Sequence, residues 1–133
     1  MATFRLELIS PQQILFDGDI QSIALPGAEG DMTVLPGHER LVTLVNPGMV
    51  EAVDADGGTF RFFVSRAFAE IVEDAVTLLA EMAVMEEELG QQHIDEEIVR
   101  LHAAIETSTD ETERTSTRSL ILRLEQIKLS RTY

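Results

Sequence analysis

Three histidines, His38, His93 and His102, are the side chains best suited to move a proton or bind a metal in this chain of 133 residues. Their spacing argues against both roles. His93 and His102 lie in a segment with helical periodicity, where nine positions of separation put them about 180° apart in phase, so one ion cannot take both. His38 stands far from them, in a Pro-Gly loop. No glycine-rich phosphate loop, nucleophile elbow or carboxylate-histidine cluster occurs. The run Glu86 to Glu88 has the charge for a cation, but acidic residues at a helix start are favoured by the helix dipole without any ligand. With no cysteine in the chain, disulfides and thiolate metal sites are excluded, as suits a reducing compartment. No catalytic residue, cofactor or metal is expected, and the chemistry that remains is recognition.

The recognition signal is the stretch Leu25 to His38, LPGAEGDMTVLPGH, in which a Leu-Pro-Gly unit recurs ten residues after the first. Proline presets φ at the second position of a tight turn and glycine supplies φ > 0 at the third, so each Pro-Gly pair reads as a type II turn. A third pair follows at Pro47 and Gly48. Between the first two, Met32, Val34 and Leu35 form a short apolar strand, while Glu29, Gly30 and Asp31 make an acidic corner that belongs in solvent. Loops presented on a rigid scaffold are where binding residues concentrate.

Charge divides the chain. Its net charge is −14, yet residues 114 to 133 hold Arg114, Arg118, Arg123, Lys128 and Arg131 against the single acid Glu125. That tail is therefore +4 and the remainder −18. An acidic body repels nucleic acid and anionic lipid, and no apolar run approaches the roughly 20 residues needed to span a bilayer. Neither nucleic-acid binding nor direct lipid insertion is expected, and no signal peptide is recognised. The basic tail suits an acidic protein surface, or pairs with Glu96 or Glu97 of the chain itself.

Two kinds of element must carry these residues. Up to about residue 84 apolar positions alternate, as in Phe4, Leu6 and Leu8 and in Phe60, Phe62 and Val64, which is the period of a half-buried strand. Further runs at Ile14 to Phe16, Ile20 to Leu25, Leu41 to Val45, Met49 to Val53, Phe68 to Glu73 and Val76 to Ala80 are set off by turn residues, with Asp56-Gly57-Gly58 the strongest hairpin signal. Eight to ten short strands in an antiparallel sandwich are expected. From Glu86 the period changes: Ile94, Ile98, Leu101 and Ile105 follow helical spacing. Thr107 to Glu113 reads as a polar loop, Asp110 as the N-cap of a second helix, and Leu120, Leu124 and Ile127 as its stripe. The expected fold is α+β, a β-sandwich over 1–84 and an antiparallel helical hairpin over 85–133.

The run LPGAEGDMTVLPGHERLVTLVNPGMV closely resembles the signature region of the epsilon subunit of bacterial F-type ATP synthases. FFVSRAFAEIVEDAVTLLAEMA (Phe62 to Ala83) and FRLELISPQQILFDGDIQSIALPG (Phe4 to Gly27) match as well, in the right order. The resemblance implies a non-catalytic rotor component that joins the gamma subunit of the central stalk to the membrane ring of c subunits, peripherally on the cytoplasmic face of the bacterial inner membrane. It implies that the loop from Ala28 to His38 faces the ring, with Glu29, Asp31, Met32 and His38 as contacts, and that a sandwich face holds gamma. It also implies that the C-terminal helices can rise to the catalytic alpha and beta subunits and block hydrolysis, with Arg114, Arg118, Arg123 and Lys128 meeting acidic residues there.

Two departures matter. The family usually has two glycines after the serine of the second segment, where this chain has Arg66 and Ala67, so an ordinary backbone conformation is expected there. Some members bind ATP through an Ile/Leu-Asp-x-x-Arg-Ala motif at the start of the first helix. Counting from Ala83, the acid and the arginine fall on Gly90 and His93, and a shift onto Ile94 and Asp95 puts Ile98 and Val99 where arginine and alanine should be, so either way a phosphate lacks its fixed cation and no regulatory ATP is expected. The alternative reading is a free sugar- or peptide-binding sandwich that dimerises through its hairpin. One tyrosine and no tryptophan make a poor sugar platform.

Overall fold

The computed structural model describes residues 2–131 in two compact units, one through Glu88 and one from Leu89 onward. The first unit holds seven strands: β1 (Phe4–Ile9), β2 (Ile14–Gly27), β3 (Gly30–Val34), β4 (Leu41–Val45), β5 (Gly48–Asp54), β6 (Thr59–Val72) and β7 (Ala75–Met85). The number is lower than the eight to ten expected, because runs that the sequence separates are continuous. Asp17-Gly18-Asp19 lies inside β2, and Ser65-Arg66-Ala67 inside β6.

All pairings are antiparallel except β1 with β7. β1 pairs with β7 on one side and β2 on the other, and β7, β6, β5 and β2 are joined in turn. These five strands therefore form a closed circuit. β3 is carried by β2 alone, while β4 is carried by β6 and pairs with β2 only through Gly27 and Val45. Leu6, Leu8, Ile20, Ile23, Val50, Phe62, Val64, Ala69, Ile71 and Leu78 fill the interior, each at most 1% exposed. Alternation on β1, β6 and β7 explains the packing: one set of side chains enters the core and the other stands outside. Truncating Phe62 to alanine would cost about 3–5 kcal/mol.

Only one Pro-Gly pair makes the expected turn. At Pro36-Gly37 the φ of Gly37 is +80° and the His38 N–H donates to the Leu35 carbonyl at 3.2 Å. Pro26 and Gly27 instead end β2, and the chain reverses at Ala28-Glu29 with Gly30 at φ +136°. Gly48 starts β5 with Pro26 against it; a Cβ there would sit 3.6 Å from the proline ring. The hairpin at Asp54 to Gly58 forms as expected, with Asp54 Oδ1 accepting from the N–H groups of Asp56 and Gly58, both at 2.9 Å.

A further difference lies at Arg66, where the backbone is left-handed with φ +52°. There β6 changes partner, pairing with β5 through Val64 and with β4 from Ala67. The left-handed residue thus falls at the change of partner, and the arginine holds this conformation despite its side chain.

A short 3₁₀ turn (Glu86–Glu88) ends the first unit, and the second holds α1 (Gln91–Thr107) and α2 (Glu111–Leu129), which pack on each other. The acidic triple is this turn, not the start of α1. The loop between the helices is only Ser108 to Asp110, shorter than the sequence suggests, and Asp110 Oδ1 caps α2 by accepting from Thr112 and Glu113 N–H. Ile94, Ile98 and Leu101 on α1 are buried, as are Ile121 and Leu124 on α2, whereas Leu120 and Ile127 are half-buried flanks of that stripe.

Candidate functional site

The acidic corner is the tip of the β2–β3 hairpin. Glu29 is exposed at the reversal, and Asp31 is exposed one residue into β3, opposite Pro26. Met32 follows on the other face of the strand, half-buried against the core beside Gly27. His38 is elsewhere. β3 and the Leu35–His38 turn carry it away from the tip, four strand steps or about 13 Å along β3 alone. The Gly37 N–H then donates to the Glu73 carbonyl at the β6–β7 turn. The structure brings Glu29 and Asp31 together and sets His38 at the opposite end of the sheet. Its Nδ1 lies 2.8 Å from the carbonyl oxygen of Glu39.

The register of four adjacent strands builds a second feature, on the outer face. Leu44 of β4 is opposite Phe68 of β6, Phe68 is opposite Leu79 of β7, and Leu79 is opposite Ile9 of β1. Opposed residues in a ladder point to the same face, so the four make one apolar row about 14 Å long across the strands. The row lies outside the core, with Leu44 68% and Phe68 38% exposed. On one flank runs the parallel row Val42, Glu70, Thr77 and Glu7. On the other, Arg66 Nη1 and Glu81 Oε2 pair at 2.9 Å, bordering a groove of about 360 Å³ lined by Ile9, Ser10, Pro11, Phe68 and Leu79. A contiguous apolar surface rimmed by polar residues marks an interaction site.

Arg66 is held there at a cost. A left-handed conformation disfavours an L-residue by about 1–2 kcal/mol, and an exposed ion pair returns about 0–1 kcal/mol. Sequence reasoning missed both row and strain, since apolar residues from four separate strands align only once the registers are known.

Elsewhere the surface is held by ordinary pairs. Arg5 grips Asp17 across β1 and β2 with two bonds of 2.8 Å, and these hydrogen bonds hold the Asp17 carboxyl below its usual range. In the helices, Arg118 and Arg114 approach Glu111 of their own helix at 3.6 and 4.0 Å. Lys128 meets Asp95 of α1 at 2.7 Å, where the sequence pointed to Glu96 or Glu97. Glu97 is buried and bonded to Arg100, and Arg123 is also engaged. At the positions where the nucleotide motif would need an acid and an arginine, the Gly90 N–H donates to His93 Nδ1 at 2.9 Å, capping α1. Among the described residues no group of acidic or histidine side chains is arranged to hold a metal, and no helix is long and apolar enough to cross a membrane.

Residues 3–86 match the model of the ATP synthase Delta/Epsilon chain beta-sandwich domain. The chain is 38% identical over 109 residues to the ATP synthase epsilon chain of Sinorhizobium medicae, covering 82% of this chain and 81% of that one. It is 34% identical to the epsilon chain of Paracoccus denitrificans over 108 residues, covering 81% and 73%. In fold it is similar to a chain of the Euglena gracilis mitochondrial ATP synthase assembly of OSCP, F1 and c-ring, with a TM-score of 0.71 at 23% identity over 98% of this chain and 82% of that one. A chain of the Tetrahymena thermophila mitochondrial ATP synthase central stalk and c-ring matches with a TM-score of 0.61 at 9% identity over 96% and 97%.

Proposed function

The chain belongs to the ATP synthase epsilon-chain family, whose members are non-catalytic subunits of that complex, and from this premise we propose that it fastens the gamma subunit of the central stalk to the c-ring. It works peripherally on the cytoplasmic face of a bacterial inner membrane, linking proton flow through the ring to ATP synthesis in the catalytic head. The observation that carries the reading is the outward-facing row Leu44, Phe68, Leu79 and Ile9, exposed at Leu44 and Phe68 and half-buried at Leu79 and Ile9. An apolar face of this kind loses water favourably on docking, at about 25 cal/mol per Å², and we assign it to gamma.

The acidic tip of Glu29 and Asp31, with Met32 bracing it from the core side, is assigned to the ring. His38, at the other end of β3, is assigned no ring contact. The helical unit is the regulatory part: Arg114, Arg118, Arg123 and Lys128 reach acidic residues of the catalytic alpha and beta subunits when their pairs within the hairpin are exchanged for pairs outside it. Such an exchange is cheap because exposed ion pairs are weak.

The test is co-purification with gamma. Wild type should join a gamma-containing complex at one copy, and Leu44→Glu with Phe68→Glu should remove it without unfolding the monomer. A chain that self-associates and ignores gamma would instead indicate the free binding module.

A further inference from the structure

Arg66 is, among the described residues, the one residue other than glycine with a positive φ. Glycine takes this conformation without penalty, so in the isolated chain the arginine is a liability that its exposed pair with Glu81 does not remove. Strain of this kind persists where the surrounding structure over-determines it, and it clusters at binding and switch sites. The surroundings here are specific. Arg66 borders the groove whose floor is Ile9, Pro11, Phe68 and Leu79, continuous with the apolar row. The other arginines of the sandwich unit point to other tasks: Arg5 is bound to Asp17, Arg61 to Glu51, and Arg40 lines a cleft with Glu73 and Asp74 beyond the far end of β4. Arg66 engages Glu81 through Nη1, and its side chain stays 45% exposed. An apolar groove with a guanidinium at its rim fits a segment that carries an apolar side chain next to a carboxylate, since the planar fork of arginine matches a carboxylate in two bonds.

We propose that Arg66 is a specificity-determining contact for the gamma subunit, pairing with a carboxylate on the segment of gamma whose apolar side chain fills this groove. The proposal rests on the docking face assigned above. Calorimetric titration of gamma with the full chain tests it, using wild type, Arg66→Gly, Glu81→Gln and Phe68→Glu. Arg66→Gly should raise the melting temperature by several degrees yet weaken binding about tenfold, with the loss shrinking at high salt. A merely structural residue would move stability and affinity in the same direction. Glu81→Gln removes the competing internal carboxylate and should bind as tightly as wild type or more so. If Arg66→Gly binds within twofold of wild type while Phe68→Glu abolishes binding, the role of Arg66 is wrong and the docking face stands. Loss of binding in Glu81→Gln equal to that in Arg66→Gly would also overturn it, by making the pair a structural unit. If Phe68→Glu binds like wild type, the docking face itself is wrong.

Discussion

Lys128 Nζ lies 2.7 Å from Asp95 Oδ1, tying the end of α2 to the beginning of α1. The two side chains are 27% and 44% exposed, so the pair is partly screened. In a double-mutant cycle with Lys128→Ala and Asp95→Ala, followed by thermal unfolding, the coupling should be about 0.3–1 kcal/mol. Zero coupling would mean that the apolar seam alone holds the hairpin.

Truncation after Glu88 should leave a folded sandwich that still assembles with gamma, because the core cluster lies wholly within Phe4 to Met85. The same truncation should remove inhibition of ATP hydrolysis in the assembled complex. Replacing Arg114, Arg118 and Arg123 by glutamate should imitate it if charge drives the contact, and salt should weaken the wild-type effect. Inhibition that survives truncation would refute this division of labour.

At the hairpin tip, Glu29→Ala with Asp31→Ala should leave the melting temperature nearly unchanged and loosen attachment of the catalytic head to the c-ring by roughly 1 kcal/mol per side chain. His38→Ala should not affect that attachment, since β3 separates it from the tip. Proton-pumping coupled to ATP hydrolysis in membrane vesicles provides the readout.

Binding of ATP to the purified chain should be undetectable by calorimetry in the micromolar range. His93 and Gly90 close the start of α1 on each other and provide no fixed cation for a phosphate. A clear binding isotherm would mean that other residues hold the nucleotide.

Acid should weaken the β1–β2 clamp. The Asp17 carboxyl, lowered by hydrogen bonds from Arg5, contributes stability above its unfolded pKa and loses it as pH falls through the folded one. Wild type and Arg5→Ala should therefore differ most near neutral pH and converge in strong acid, as followed by urea unfolding across pH. A difference that does not change with pH would show that Arg5 acts by packing instead.

Much of this was legible in the sequence because period-two alternation and helical spacing are local. Phe4, Leu6 and Leu8 announce a buried face, and Asp110 announces a helix start, from a few neighbours each. Turn chemistry was less secure. Pro26-Gly27 and Pro36-Gly37 share the same letters, yet the first pair is held in β2 by pairing with Gly30 and Asp31, a tertiary constraint that overrides the local preference. The outer row was illegible for the same reason: Leu44, Phe68, Leu79 and Ile9 span most of the sandwich in sequence and meet only through register. At Arg66 the side-chain type argues for an ordinary backbone, whereas the left-handed conformation falls where β6 changes partner strand, a feature of register.

The closed circuit of β1, β7, β6, β5 and β2 has a mechanical meaning. A tube with an unbroken wall resists twisting about its axis far better than the same tube slit along its length, because shear passes all the way round rather than opening a seam. Here each step round the wall is a hydrogen-bonded ladder, and the parallel β1–β7 pairing is the step that shuts the slit. β3 and β4 stand outside this loop, so the acidic tip is mounted on the wall rather than built into it.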